Sequence, residues 1–375
     1  MKYLITGGAG FIGSNLSLEL IMRGNSVTVL DNLNNQIHGD NYEKSPSYQS
    51  IKGKVDFIKG DVRNKSDWIK SLNEVDIIIH LAAETGTGQS MYCVQKYIDV
   101  NVVGLSILYD ILVSGSYSIK KLVLASSRAV YGEGKYICEK CNVVYPLQRE
   151  EKKMKEGYFD VQCPRCNGSV QPIPTDESSE LHPSSTYGMS KKMQEEMMIA
   201  MGRSLKIPVV VFRYQNVYGP GQSLNNPYTG ILSIFSNRIR NGKIIEVYED
   251  GNESRDFVFI DDVVEATIVG MGNNNKYIIY NVGSGSAIKI FSIAKMLVEN
   301  FNSTTEIKIT GNFRIGDIRH NQADITKLIQ EFNYNPKFDF QTGIRNFIDW
   351  ANKQKIEKDR YQASIEELKI RGLFK

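Results

Sequence analysis

The stretch "STYGMSKKMQEEMM" places Tyr187 and Lys191 four residues apart, on one face of a helix. A phenol with a pKa near 10 is a poor base at neutral pH, whereas a nearby ammonium group favours the phenolate. Lowering the pKa by about three units requires roughly 4 kcal/mol of differential stabilisation. Ser127, at the end of "KLVLASS", can bind the same substrate oxygen and hold it beside the tyrosine. This set indicates proton transfer at a hydroxyl group.

The Tyr-x-x-x-Lys spacing alone is not specific, and it also fits an ordinary solvated helix face. Five other tyrosines have a lysine four residues on: Tyr48, Tyr92, Tyr117, Tyr131 and Tyr136. Only the pair at 187 and 191 opens a long helix that leads to another strand. Context therefore favours this pair over the others.

A glycine turn, "GGAGFIG", follows the first apolar run, and Gly8, Gly10 and Gly13 fit the pattern G-x-G-x-x-G. Such a turn lets the backbone approach a pyrophosphate, and the next helix offers its positive N-terminal end. Asp31 ends the second apolar run, where a carboxylate accepts hydrogen bonds from the ribose hydroxyls of NAD. Since a carboxylate repels a 2′-phosphate and no arginine follows in "DNLNN", NAD is preferred over NADP.

Two Cys-x-x-Cys pairs, "CEKC" and "CPRC", contain four of the five cysteines. Cytosolic thiols stay reduced, so this spacing predicts a structural zinc site rather than disulfides, with Cys138, Cys141, Cys163 and Cys166 as ligands. A ribbon that binds metal poorly is the alternative. We expect the pairs to lie in an insertion at 136–173, between the catalytic strand and the catalytic helix, which caps the mouth of the site or contacts a partner subunit.

These side chains must be positioned by a βαβ succession. Apolar runs at 2–6, 26–31, 55–61, 75–82 and 121–127 predict strands, and 14–24 and 101–115 carry helical periodicity. Strands that are apolar on both faces suit a doubly wound parallel α/β sheet, the Rossmann type. We expect residues 1–215 to form an NAD-binding domain that includes a further strand at 209–214. A strand at 277–283 is expected to return to the same sheet. Residues 216–375 are then mainly a smaller C-terminal substrate-binding domain.

The ordered motifs resemble an extended short-chain dehydrogenase/reductase of the nucleotide-sugar epimerase group, from residue 1 to about 350. They include "TGGAGFIG", "HLAA", "SSRAVYG", "YGMSK", "NVYGP" and "RDFVFIDD". The resemblance implies that Ser127, Tyr187 and Lys191 form the catalytic triad. It also implies a homodimer through helices at 90–115 and 185–205.

Two sets of binding residues follow from the same resemblance. The cofactor set comprises the glycine turn, several strand ends and the catalytic helix: Gly7, Gly8, Gly10, Phe11, Ile12, Gly13, Asp31, Asn32, Asp61, Val62, Leu81, Ala82, Ala83, Asn101, Ser126, Tyr187, Lys191 and Tyr214. The substrate set is expected to bind a nucleotide-diphosphate sugar, with arginines facing the phosphates: Thr85, Ser127, Arg128, Tyr187, Asn216, Arg255, Arg314 and Asp317.

The residues after Ser127 narrow the reaction. A 4,6-dehydratase of this group usually has Asp-Glu there, whereas this chain has Arg128 and Ala129, so simple 4-epimerisation is favoured. The stretches "DNLNNQIHGD", "AAETGTGQSM" and "QSLNNPYTGI", with the cysteine insertion, resemble the dTDP-L-rhamnose 4-epimerase branch, which makes dTDP-6-deoxy-L-talose for surface polysaccharides. Gln215 departs from the phenylalanine usual in the group. UDP-hexose or UDP-uronate 4-epimerisation, an NAD-dependent sugar dehydrogenase or reductase, and a non-catalytic NAD-binding regulator remain alternatives.

Composition bounds the partners. The 375-residue chain has a net charge of +3 and no long Lys/Arg run, so nucleic acid is not expected as a ligand. The N-terminus enters a strand without a signal-peptide pattern, and no apolar run is expected to be as long as a membrane span. We therefore expect a cytoplasmic protein without membrane contact.

Overall fold

The computed structural model describes residues 1–115, 117–228, 230–273 and 277–375. Its strands are β1 (Lys2–Thr6), β2 (Ser26–Asp31), β3 (Asp56–Lys59), β4 (Ile77–His80), β5 (Lys121–Ser127), β6 (Tyr136–Cys138), β7 (Asn142–Val144), β8 (Gln171–Pro172), β9 (Val209–Tyr214), β10 (Asn216–Tyr218), β11 (Ile245–Val247), β12 (Ser254–Phe259), β13 (Tyr277–Val282), β14 (Ala287–Lys289) and β15 (Ile307–Ile309). The predicted strands at 55–61 and 75–82 are shorter at both ends, since their last residues turn into loops beside the main cavity.

The helices lie between these strands and cover the sheet on both faces. They are α1 (Phe11–Met22), α2 (Asn35–His38), α3 (Pro46–Ile51), α4 (Lys65–Ser71), α5 (Thr87–Ser90), α6 (Val94–Ile98), α7 (Gly104–Ser114), α8 (Glu151–Lys155), α9 (Thr186–Leu205), α10 (Ile231–Arg240), α11 (Ile260–Met271), α12 (Ile290–Asn300), α13 (Thr326–Phe332), α14 (Phe340–Asn352) and α15 (Tyr361–Ile370). A π-helical segment, Asp99–Val103, joins α6 to α7, and short 3₁₀ turns lie at Tyr42–Lys44 and Arg128–Tyr131.

Seven parallel strands form the central sheet in the order β13-β9-β5-β4-β1-β2-β3. All six residues of β9 are buried, as expected for a strand covered by helices on both faces. The two late strands join the same sheet, as the sequence predicts, with β9 beside β5 and β13 beside β9. The strands β1, β4, β5 and β9 all point their carboxyl ends at one edge, so the segments that follow them meet there.

Smaller sheets lie outside the central one. Strands β10, β12 and β14 form a three-stranded sheet, and β11 pairs with β15. In the predicted insertion, β7-β6-β8 form an antiparallel sheet around a small core of Tyr136, Cys138, Val144, Val161 and Cys163. The division of the chain at residues 215 and 216 remains a prediction.

One helical stretch, Val94–Ser114, corrects the expectation about membrane spans, because its length and composition would allow it to cross a membrane. Four of its apolar residues pack in the core beside β5: Leu105, Leu108, Ile111 and Leu112. We therefore interpret one face of this stretch as part of the core of the protein.

Candidate active site and cysteine centre

The glycine turn between β1 and α1 is shaped by close contacts that exclude side chains. Gly7 has φ of 70°, and a Cβ built on it would lie 2.7 Å from the backbone nitrogen of Ala82. A Cβ on Gly13 would lie 2.4 Å from the Gly7 carbonyl oxygen. Gly10 precedes α1 without a side-chain cap, so the first amides of the helix remain available to an anion. This turn therefore fits the pyrophosphate of a dinucleotide.

Asp31 lies at the end of β2 in the wall of the same cavity and is almost fully buried. Its carboxylate accepts hydrogen bonds from the backbone nitrogens of Ala9 at 3.0 Å and Leu33 at 2.8 Å. Burial raises the pKa of Asp31, and these backbone hydrogen bonds oppose the rise. Each carboxylate oxygen keeps a lone pair, so the group can still accept a ribose hydroxyl.

The catalytic candidates converge because α9 comes very close to the segment after β5. A Cβ on Gly188 would lie 2.5 Å from the Ala129 carbonyl oxygen, so only glycine allows this approach. Ser185 caps α9 by accepting from the Gly188 nitrogen at 3.1 Å. Lys191 Nζ donates to the Ala125 carbonyl oxygen at 2.9 Å. The structure thus places Ser127, Tyr187 and Lys191 in the wall of one cavity of about 950 Å³.

The electrostatics of this pair differ from the simple expectation. Burial raises the pKa of Tyr187, whereas a hydrogen bond with Ser127 and the charge of Arg128 act to lower it. Burial also lowers the pKa of Lys191 to about 7, against the attraction of Glu195. In the chain by itself, the tyrosine is therefore not poised as a phenolate.

Behind this pair lies a buried ion pair that the sequence analysis missed. Arg213 on β9 donates to both carboxylate oxygens of Glu195 on α9, at 2.7 and 3.0 Å. The hydroxyl of Ser126 also donates to Glu195. The ion pair joins the strand to the catalytic helix one turn after Lys191, and it fixes the height of α9 against the sheet.

All but three of the predicted cofactor residues line the cavity, and the three exceptions, Gly8, Asp61 and Asn101, lie beside it. Gly8 packs against Val29, where a Cβ would come within 2.7 Å of a methyl carbon. Asp61 binds Arg63 at 2.8 Å, and this hydrogen bond is the main cause that lowers its pKa to about 2. Its neighbours Gly60 and Val62 line the cavity instead.

Asn101, the third exception, is fully buried and supports the site from behind. Its side-chain oxygen accepts from the Glu84 nitrogen at 2.8 Å, and its nitrogen donates to the Glu84 carbonyl at 3.1 Å. A further hydrogen bond of 2.9 Å reaches Ser190 on α9. The amide thus ties the loop after β4 to the catalytic helix rather than contacting the cavity.

Two loops close over the cofactor side of the cavity through contacts without a recognisable motif. Gln36 and Gln89 exchange amide hydrogen bonds of 3.2 and 3.1 Å. Asn34 donates to Glu84 at 3.1 Å, and Lys96 pairs with Glu84 at 2.9 Å. These contacts join the loop after β2 to the loop after β4.

The substrate candidates form a positively charged end of the cavity. Arg255 donates to the carbonyl oxygens of Ser254, Ile318 and Arg319 at 2.6 to 3.0 Å, and it forms no ion pair with a carboxylate among the described residues. Arg314 pairs with Asp317 at 2.8 Å. Arg128 has no hydrogen-bond partner among the described residues, and burial, with the charge of Arg255, lowers its pKa to about 10. Three arginines facing one carboxylate suit a diphosphate.

Several cavity-lining residues escaped the sequence analysis. Three of them lie far along the chain and belong to no recognisable motif: Trp350 on α14, Gln354 just after α14 and Tyr361 at the start of α15. Thr85, Asn216 and Tyr214 line the cavity as predicted, although the Tyr214 hydroxyl is bonded to Thr267 at 2.8 Å. Gln215 also lines it, and both of its side-chain amide atoms are buried without a partner within the described residues.

The four paired cysteines meet at one point of the insertion. Their sulfur atoms lie within 4.8 Å of one another, with 3.6 Å between Cys138 and Cys166. Tetrahedral zinc with Zn–S bonds of about 2.3 Å places its sulfur atoms about 3.8 Å apart. Each Cys-x-x-Cys turn ends in an asparagine of positive φ, at 58° and 56°. All five cysteines are free thiols, so the donor set fits a structural zinc ion.

Comparisons with known proteins agree with this arrangement. The chain matches the NAD dependent epimerase/dehydratase family over residues 165–283 and the GDP-mannose 4,6 dehydratase model over 4–147. It is 36% identical to a dTDP-L-rhamnose 4-epimerase of Burkholderia thailandensis, across 96% of this chain and 97% of that protein. The UDP-glucose 4-epimerase of Thermotoga maritima, solved with UDP-glucose, has 26% identity and a TM-score of 0.75, covering 94% and 99%. The NAD complex of the Thermus thermophilus UDP-glucose 4-epimerase has 26% identity and a TM-score of 0.74, covering 95% and 100%.

This chain therefore belongs to the NAD dependent epimerase/dehydratase family. The predictions of the Rossmann-type fold, the family and an NAD-dependent nucleotide-sugar epimerase are confirmed. The roles of the individual residues remain predictions that the geometry supports.

Proposed function

We propose that the protein inverts C4 of a nucleotide-diphosphate sugar, interconverting dTDP-L-rhamnose and dTDP-6-deoxy-L-talose. The observation that carries this proposal is the single cavity with Ser127, Tyr187 and Lys191 in its wall and Arg128, Arg255 and Arg314 around its charged end. The sugar named is that of the Burkholderia relative.

The residues divide the work of the reaction. NAD, held by the glycine turn and Asp31, supplies the hydride acceptor at C4 when it is bound. Ser127 holds the C4 oxygen by a hydrogen bond, and Tyr187 takes and returns its proton. Lys191, one helical turn from Tyr187, supplies the positive charge that favours the phenolate, and it also donates to the Ala125 carbonyl oxygen. The 4-keto sugar turns over before hydride returns to its opposite face, so the sugar subsite must accept two orientations.

The absence of carboxylates directly after Ser127 favours epimerisation over dehydration. Arg128 and Ala129 occupy these positions, and neither can move protons at C5 and C6 of the sugar. A UDP-hexose or UDP-uronate 4-epimerase would use the same machinery. A sugar dehydrogenase or reductase would instead release its cofactor in each cycle.

The test is to incubate the NAD-loaded protein with a panel of dTDP- and UDP-sugars and resolve the C4 epimers by NMR. We expect dTDP-6-deoxy-L-talose from dTDP-L-rhamnose without net formation of NADH. If a different sugar reacts faster, that sugar would replace dTDP-L-rhamnose as the proposed substrate. Stoichiometric NADH would support the dehydrogenase alternative.

We also propose a structural zinc ion on Cys138, Cys141, Cys163 and Cys166, since their sulfur atoms have the spacing that zinc requires. Four thiolates leave no open position, so the metal orders the insertion and takes no part in catalysis. Elemental analysis of protein purified without chelator should give about one zinc per chain.

A cytoplasmic homodimer that serves polysaccharide synthesis completes the proposal. Exposed apolar side chains on the helices between 94 and 114 and on α9 support a helical interface: Val94, Val103, Val113, Met189 and Met193. Light scattering should therefore give about twice the 42.4 kDa of one chain.

A further inference from the structure

The middle of the insertion, residues 149–160, packs against the segment that carries Arg314 and Asp317. The Arg149 side chain is only 5% exposed, and its Nη2 donates to the Asp317 carbonyl oxygen at 3.1 Å. The same guanidinium binds both carboxylate oxygens of Glu249, at 2.8 and 2.9 Å, and Glu133 at 3.0 Å. Its remaining contact is the Phe159 carbonyl at 3.0 Å. One side chain thus joins four separate parts of the chain.

A second arginine, Arg319, also joins these two parts of the chain. It lies in the segment that carries Arg314 and Asp317, and it donates a hydrogen bond to Asp160 of the insertion at 2.9 Å. It also binds Glu249 at 2.9 Å and Asp250 at 2.7 and 2.8 Å. Phe159 packs edge-on against Phe313, with ring centroids 6.4 Å apart. The insertion therefore holds residues 313–319 by charge, hydrogen bonds and apolar contact together.

Residues 313–319 form no helix or extended strand of their own, so their position is fixed by these contacts together with backbone hydrogen bonds to residues 373–375. From the cavity side, Arg255 donates to the carbonyls of Ile318 and Arg319. The geometry points to Arg149 as a positioning residue: it sets where Arg314 and Asp317 stand toward the nucleotide diphosphate. This inference rests on the proposed function for the identity of the ligand. It gives the insertion a task besides the metal site formed by its cysteines.

The proposal predicts a specific pattern of effects. Arg149→Met should weaken the binding of dTDP and of UDP by about 10- to 100-fold, the loss expected when a binding segment shifts. KM for the nucleotide sugar should rise in parallel, while kcat at saturation stays within about threefold, since Tyr187 and Lys191 are untouched. Arg149→Lys should give a smaller loss, because an ammonium group cannot reproduce the planar fork. The NAD content should equal that of the wild type.

Lys152→Met is the matched control. This lysine belongs to the same insertion and carries the same charge, but it is exposed and its side chain forms no hydrogen bond or ion pair among the described residues. The variant should bind dTDP with wild-type affinity. Removing a buried cation can also prevent folding, so Phe159→Leu, which weakens the contact with Phe313 without changing charge, is measured in parallel and should raise KM several-fold.

Calorimetric titration with dTDP and UDP, alongside kinetics and NAD content, decides the matter. A folded, NAD-loaded Arg149→Met or Arg149→Lys protein with wild-type affinity for both nucleotides would overturn the inference, as would an equal loss in Lys152→Met. So would a loss confined to kcat. Wild-type protein that binds the nucleotides but epimerises no sugar would refute the proposed function, while the binding comparison still judges the role of Arg149.

Discussion

Replacing Lys191 by methionine should stabilise the protein in acid while it abolishes turnover. The ammonium group is 2% exposed, and burial lowers its pKa from 10.5 to about 7. This difference corresponds to roughly 5 kcal/mol of destabilisation when both the folded and the unfolded chain carry the proton. Methionine has a similar length and no charge, and it gives up one hydrogen bond to Ala125, worth about 1 kcal/mol. The net gain is therefore about 3 to 4 kcal/mol at pH 6.

The pH dependence follows from the direction of the shift. Below pH 7 the lysine is protonated in both states, and the destabilisation is fully present. Between pH 7 and 10.5 only the unfolded chain keeps the proton, so the stability of the wild type rises with pH. The advantage of Lys191→Met should thus shrink to about zero near pH 10.

Urea unfolding of both proteins at pH 6, 8 and 10, with and without saturating NAD, measures this difference. Lys192→Met is the control, since the next residue of the same helix is only partly buried and its change should stay within about 0.5 kcal/mol. A Lys191→Met protein that is less stable than the wild type at pH 6 would refute the reasoning. So would an advantage that stays constant up to pH 10. Turnover should fall by at least about 100-fold.

Three further predictions concern other parts of the site. Tyr187→Phe should lose at least about 1,000-fold in kcat yet retain NAD, and epimerisation near the wild-type rate would contradict its role as the proton acceptor. Gln215→Met should raise Tm by about 1 to 4 °C, because it removes two buried amide atoms that have no hydrogen-bond partner among the described residues. An unchanged or lower Tm in calorimetry would contradict this. Cys138→Ser combined with Cys163→Ser should lose zinc and expose residues 136–173 to proteolysis while NAD stays bound; an ordered insertion without metal would argue against the zinc site.

The sequence predicts those features that short-range chemistry dictates. The residues of the turn after β1 must be glycine because of close contacts with Ala82 and Gly7, and their spacing is visible in the sequence. The strands β9 and β13 are recognisable by their apolar runs, since a covered parallel strand is buried on both faces. The roles of single residues are less predictable. Asn101 and Gly8 occupy the expected places in the chain, yet one braces a loop and the other packs on Val29.

The features that the sequence does not predict depend on contacts between distant segments of the chain. Arg149 and Arg319 are 170 residues apart, yet both guanidinium groups bind the carboxylate of Glu249, which belongs to neither segment. No local sequence pattern predicts the roles of these two arginines, because the partners that a buried cation requires come from distant parts of the chain. The cysteines, by contrast, are recognisable by their spacing, and the proposed zinc site accounts for all four of them. We infer that the insertion contributes to nucleotide binding through Arg149. A chain that kept the four cysteines but lost Arg149 should therefore keep the proposed zinc site and lose affinity for the nucleotide.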